Sequence, residues 1–304
     1  MPVEPIEILW SPAGTRMPDL GAKALVDVTD GDTPNFRMPI RMLSIDTPEV
    51  TAQSVEGAQR VDGRLLELAG WIRDGKAKVS RAFADHILPR LETGKAGTLQ
   101  FTQGQAASAW SKANIESRLT RPGQPDKRKL FIWMADAPFD QNKRLLAYVA
   151  PSYSAGELAA MSRRERSTFN LDLLRSGWAA PFVLYPSIPG ELDMPLYLEA
   201  AVTAMDNASG QYGDPLSLPG FEYRMCEKLH VITRKLLAGE TMKEHERLDW
   251  RSRYAADMRT RKLYGPENYM AVPAPYRIWI WPDDVRKAVA DLNLVPAADL
   301  LAVA

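Results

Sequence analysis

The chain has few of the side chains that cross-link a fold or ligate soft metals. Of its 304 residues one is cysteine, Cys226, and three are histidine, His86, His230 and His245. A single thiol excludes an intrachain disulfide and any cysteine-built zinc cluster, and the three scattered histidines lack zinc-ligand spacing. No apolar run approaches the ~20 residues that span a bilayer. The opening MPVEPIEILW lacks the basic stretch and apolar core of an export signal. These absences predict a cytoplasmic protein with no membrane partner. Nor does one sign of charge dominate: 38 Lys and Arg balance 38 Asp and Glu, so an anion site has to come from local clustering. Internal repeats and low-complexity tracts are also lacking.

What is present is an ordinary globular composition, 45% hydrophobic and 25% charged, with enough apolar residues for a sizeable core. Residues 5–10 alternate like a strand, and residues 22–28 read as a strand running into the turn Asp30-Gly31-Asp32-Thr33. A short connection leads to a strand at 40–45. Apolar residues at helical spacing predict helices over 54–73 and 79–92, the second kinked or split by Pro89. Residues 98–101 and 130–134 compete for the next strand, with a loop-rich insertion at 102–128 between them. A strand at 145–150 is followed by helices over 154–166, 168–176 and 191–206. Turn formers cluster from Gly213 to Gly220 and mark a boundary. Beyond it the chain reads as mostly helical over 221–263, with a strand at 276–281 and a short helix at 283–292.

The chemistry concentrates near the N-terminal side. Asp32 and Asp46 end two extended segments, with Arg41 before the second and Glu49 after it. Carboxylates and carbonyls suit an oxygen-liganded cation, and arginines with a base suit an attacked phosphodiester. Arg144, in Asp140-x-x-x-Arg144-x-Leu146-Ala147-Tyr148, offers a second guanidinium. Either aspartate alone would merely close a turn; Glu49 alone would be a solvated acid after a proline.

Taken in order, D-G-D-T, then R-x-L-x-x-I-D-T-P-E, then D-x-x-x-R-x-L-A-Y resemble the staphylococcal nuclease (thermonuclease) family. The resemblance covers roughly 20–214, and Asn170 to Ala179 is similar to the family's N-x-x-L-x-x-x-G-x-A helix. It implies an α+β fold, a five-stranded OB-type β-barrel with packed helices. A nuclease-like domain would then fill 1–214, with insertions near 52–78 and 102–128, and 215–304 would be a mainly helical extension.

It also implies Ca²⁺, or another divalent cation, held by Asp32, Asp46 and the Thr47 carbonyl. Glu49 would be the general base, and Arg41 and Arg144 the clamps on the phosphate. The expected activity is hydrolysis of DNA or RNA phosphodiesters leaving 3′-phosphate ends. The alternative is a catalytically weak or inactive nucleic-acid- or protein-binding module, part of a larger assembly, with a protein partner on the extension.

Departures from the family fall at the substrate grip: Gln141, Asn142 and Val183 stand where charge and ring are expected, and Tyr185 keeps one ring. Residues 111–145 carry eight Lys and Arg against four acids. Lys127, Arg128 and Lys129, with Trp110 and Trp133 near, could follow a phosphate backbone, or equally lie in a solvated insertion. The run from Arg251 to Lys262 reads as a solvated helix face.

Overall fold

A computed structural model describes residue 20 and residues 22–301. The strand expected at 5–10 lies outside the described residues. In chain order the elements are β1 (Leu25–Val28), β2 (Pro34–Phe36), β3 (Ile40–Met42), β4 (Ser44–Asp46), α1 (Val55–Arg73), α2 (Arg81–Leu91), α3 (Ala96–Leu119), β5 (Leu130–Phe139), β6 (Leu145–Pro151), α4 (Ala155–Ala160), α5 (Phe169–Arg175), β7 (Ala180–Leu184), α6 (Met194–Asp206), α7 (Gly220–Leu237), α8 (Glu244–Leu248), β8 (Tyr254–Asp257), β9 (Lys262–Tyr264), β10 (Arg277–Ile280), α9 (Val285–Asp291), β11 (Val295–Pro296) and α10 (Ala298–Leu301). The class is α+β. Among the described residues the strands form open sheets of two, three and six strands and no closed barrel.

The segment 40–46 organises the molecule because it serves two sheets. β3 runs parallel to β6, with Arg41 opposite Leu146, and β6 pairs antiparallel with β5. β4 instead pairs antiparallel with β7. The switch falls at Ser44, whose φ of 62° is left-handed and costs energy for a side chain with a Cβ. Buried polar contacts hold it there. The Tyr197 hydroxyl donates to the Ser44 carbonyl at 2.6 Å, and Asn170 donates to the carbonyls of Leu43 and Ala147 at 3.0 and 3.2 Å. The asparagine of the family-like helix is therefore a brace for this bend.

Helix α1 starts where Ser54 caps the Gly57 amide at 3.0 Å, and it buries Val61, Leu65, Leu68 and Ile72 at helical spacing. Pro89 does not split α2, which runs through it for two more residues to Leu91. The strand expected at 98–101 and most of the expected loop at 102–128 are instead α3. Tertiary packing overrides the β-leaning Thr98 and Phe101. Gly97 lets α3 approach α1 so closely that a Cβ there would stand 2.7 Å from the Ala58 carbonyl oxygen, and the Thr98 amide donates to Asp62 at 2.8 Å. The strand at 130–134 is real and longer, reaching Phe139.

The part beyond 214 holds more helix than strand, as expected, but its strands do not stand apart from the rest. Four of its strands extend the sheet begun earlier in the chain, in the order β11-β9-β8-β10-β7-β4. β10 lies parallel to β7 and antiparallel to β8. The basic run 251–262, expected as a helix face, supplies β8 and part of β9.

α7 is fastened to both halves. Phe221 packs in an aromatic cluster with Phe182, Tyr269 and Trp279. Glu222, fully buried, accepts from the Tyr269 hydroxyl at 2.9 Å and pairs with His86 at 2.9 Å. Among the described residues no helix is long and apolar enough to cross a membrane.

Candidate functional site: an arginine–carboxylate centre

The bend at Ser44 turns Asp46 back toward Arg41. Arg41 Nη2 donates to Asp46 Oδ1 at 2.7 Å and to the Ile45 carbonyl at 3.3 Å. Asp46 is completely shielded from solvent. Its second partner comes from α7: Arg224 Nη2 reaches Oδ2 at 3.0 Å and Oδ1 at 3.1 Å, while Arg224 Nη1 donates to Glu49 Oε1. One guanidinium thus ties together the two acids that the sequence singles out. Burial works to raise the Asp46 pKa, but Arg224 and Arg41 more than offset it and hold the carboxyl below its ordinary value.

Glu49 is placed by α3. With the Gln100 amide oriented to match its neighbours, its oxygen accepts from the Glu49 amide at 2.7 Å and its nitrogen donates to the Leu218 carbonyl at 2.9 Å. α7 arrives at the same spot with a glycine. A Cβ on Gly220 would lie 2.5 Å from the Thr47 carbonyl oxygen and 2.7 Å from Asp46 Oδ2. Two of the three oxygens expected to hold a metal are therefore in contact with the start of α7. The third, on Asp32, sits in the exposed β1–β2 hairpin, accepting from the Thr33 hydroxyl at 3.1 Å. Among the described residues no group of three or more Asp, Glu, His or Cys is arranged to hold a metal ion.

The remaining candidates divide. Arg144 stands immediately before β6 and is committed to Asp140, with Nε and Nη2 both at 2.7 Å from Oδ2. Lys127 pairs with Glu116, and Arg128 pairs with Glu157 at 2.6 Å over the Tyr153 ring. Lys129 flanks β5, where the Trp133 and Phe131 rings pack at a 45° tilt with centroids 4.3 Å apart. Tyr185 is in the core, its ring 4% exposed and its hydroxyl donating to Asp291 with Lys287 above the ring. A ring so covered cannot stack a base, and Val183 is equally buried in β7.

Sequence reasoning missed Arg224, Arg253 and Gly220. Arg224 carries no motif and follows Asp46 by 178 residues. Arg253 lay in a basic run that reads as solvated. It is held instead between the rings of Phe182 and Trp281, at 5.2 and 5.1 Å. Arg224 and Arg253 both line a cavity of about 550 Å³ together with Gln141, Lys228 and Trp281. A second cavity, of about 640 Å³, lies on the other side of the 43–45 segment against Trp133 and Tyr197, away from the acids.

The fold and the site define an α+β protein with an arginine–carboxylate centre where β4, α3 and α7 meet. Comparison with protein-family models, with curated proteins and with solved structures finds no match.

Gly220→Ala tests the close approach directly. The methyl group has backbone on one side and a buried carboxylate on the other, so α7 must retreat. The expected loss of stability is about 1–3 kcal/mol, as for overpacking a dense interior. Chemical denaturation reads it, and a variant as stable as the parent would show that α7 is loosely seated.

Proposed function

We propose that this chain hydrolyses phosphodiester bonds of DNA, RNA or both, leaving 3′-phosphate ends. The observation that carries the reading is the bonded set Arg41–Asp46–Arg224–Glu49 beside a cavity. Two guanidiniums can grip the non-bridging oxygens of a phosphate bidentately and stabilise charge as it builds on phosphorus. Glu49, next to them, would orient and deprotonate the attacking water. Arg144 would join the clamp on leaving Asp140. An OB-type arrangement of β1, β2, β3, β6 and β5 and a cytoplasmic setting belong to the same reading.

The family resemblance brings Ca²⁺ or another divalent cation. The residues as arranged do not fit one. Both oxygens of Asp46 already accept from arginines, Gly220 abuts the Thr47 carbonyl, and Asp32 is in a separate hairpin. A metal requirement would therefore depend on Arg224 giving way, and no step above runs through a metal. The same observation favours a second reading, a module that binds nucleic acid or a protein partner without cutting, because Arg224 already satisfies both acids.

Cleavage of single- and double-stranded DNA and RNA, with Ca²⁺, with Mg²⁺ and with chelator, separates these readings. Hydrolysis predicts fragments that co-migrate with 3′-phosphate markers. Activity that persists in chelator would remove the cofactor from the proposal. Strand binding with no cleavage under any condition would leave the module reading.

A further inference from the structure

The 550 Å³ cavity is lined by Arg253, which among the described residues forms no salt bridge to an acid. Around its wall the other charges cancel in pairs: Arg64 with Glu227 at 3.6 Å, and Lys228 with Asp249. His230 pairs with Glu67 at 2.8 Å. Arg224 is taken up by Glu49 and by Asp46, the latter also bonded to Arg41. Arg253 alone among these has, within the described residues, no carboxylate partner; its contacts are the faces of Phe182 and Trp281. The rings hold the guanidinium plane but satisfy none of its five N–H donors. Burial, then the nearby Arg224, push its pKa down to about 10. Asp46 opposes that fall without pairing directly with Arg253, and the partly exposed guanidinium stays charged near neutral pH, open to an anion entering the cavity.

We propose that this cavity is a phosphate-binding subsite for a single nucleic-acid strand, with Arg253 as its anchor and Arg224 linking it to the Asp46–Glu49 centre. It rests on the reading of that centre as a phosphodiester site. A guanidinium presents the planar fork that fits phosphate oxygens, and a cavity in the usual range for ligand sites has room for a phosphate and its sugar. The subsite is built mainly from residues beyond 214, the cavity wall being completed by Gln141 of the β5–β6 turn and Arg64 of α1. Its occupant would be the phosphate adjoining the one at Glu49, so it would select polymers over mononucleotides.

The test is fluorescence anisotropy of a short labelled single strand with the full chain, in the Glu49→Gln background so that the strand stays intact, across a salt series. Arg253→Gln should weaken binding roughly 10-fold, the loss of one charge-assisted contact. It should also flatten the slope of log K against log salt by about 0.7, one phosphate contact on a single strand. Arg253→Lys should retain that slope while losing part of the affinity, which separates a charge effect from damage to the Phe182–Trp281 packing.

Wild-type affinity and slope in Arg253→Gln would overturn the subsite. So would a parent that binds no strand even at low salt, and the nucleic-acid reading would fall with it. If Arg253→Gln loses the contact while the unmodified chain never cleaves, the subsite stands and only hydrolysis is withdrawn.

Discussion

Replacing Arg224 by methionine is expected to destabilise the protein by about 3 kcal/mol near neutral pH, the low end for breaking a buried ion pair. The low end applies because Arg224 is itself 37% exposed and Arg41 remains bonded to Asp46. That loss corresponds to a fall in melting temperature of roughly 6 °C for a chain of this size. The pH dependence carries the mechanism. Asp46 has a depressed pKa in the folded protein, so its contribution is present above the unfolded value of about 4 and is lost as pH falls through the folded one. Without Arg224 the buried carboxylate loses its first electrostatic support, its pKa rises, and protonation relieves it. The gap between variant and parent should therefore narrow as pH is lowered toward about 4–5. Calorimetry over a pH series reads this. A gap independent of pH would assign the loss to packing of α7 rather than to the Asp46 pair. The same variant frees Glu49 and leaves Asp46 with Arg41 alone, so titration with Ca²⁺ should show binding that the parent lacks if the two cations compete for one place.

Glu49→Gln is expected to slow turnover by roughly 10²-fold or more while leaving strand affinity near that of the parent. Glutamine keeps an oxygen to accept from Arg224 but cannot take a proton from water. The two readings of the centre part here. If Glu49 is a base, kcat falls and binding stays. If Glu49 serves only to hold Arg224, the variant loses stability and cleaves at the parent's rate. Measuring kcat/KM together with the melting temperature distinguishes the two, because a structural role moves the second and not the first.

The elements that sequence reasoning placed well are those decided by local pattern. Helix α1 follows from apolar residues at helical spacing behind a serine cap, and α5 ends at Gly177, whose φ of 76° suits a residue without a Cβ. β6 follows from an apolar run after a turn, and β10 from alternation. Arg41 and Asp46 were legible as members of one centre because they lie on one short segment, although as clamp and metal ligand rather than as the ion pair they form. α3 was not legible as a helix: its apolar periodicity is weak, and what makes it helical is a glycine-lined contact with α1. The run 251–262 failed for the converse reason. Its charges look solvated in one dimension, but β8 is paired on both sides and its neighbour Arg253 is folded against two aromatic rings.

The sequence by itself drew Arg41, Asp46 and Glu49 into one group, because these sit within a few residues of one another and backbone geometry alone brings them near. It also determined the balance of charge that forces an anion site to be local. Only the tertiary structure decided what surrounds those acids. It seated Gly220 on the Thr47 carbonyl, put the Arg224 guanidinium between Asp46 and Glu49, and left Asp32 in its own hairpin. The reason is physical: a contact between residues 178 apart depends on how helices and sheets pack. That packing is set by burial summed over the whole chain rather than by any motif along it.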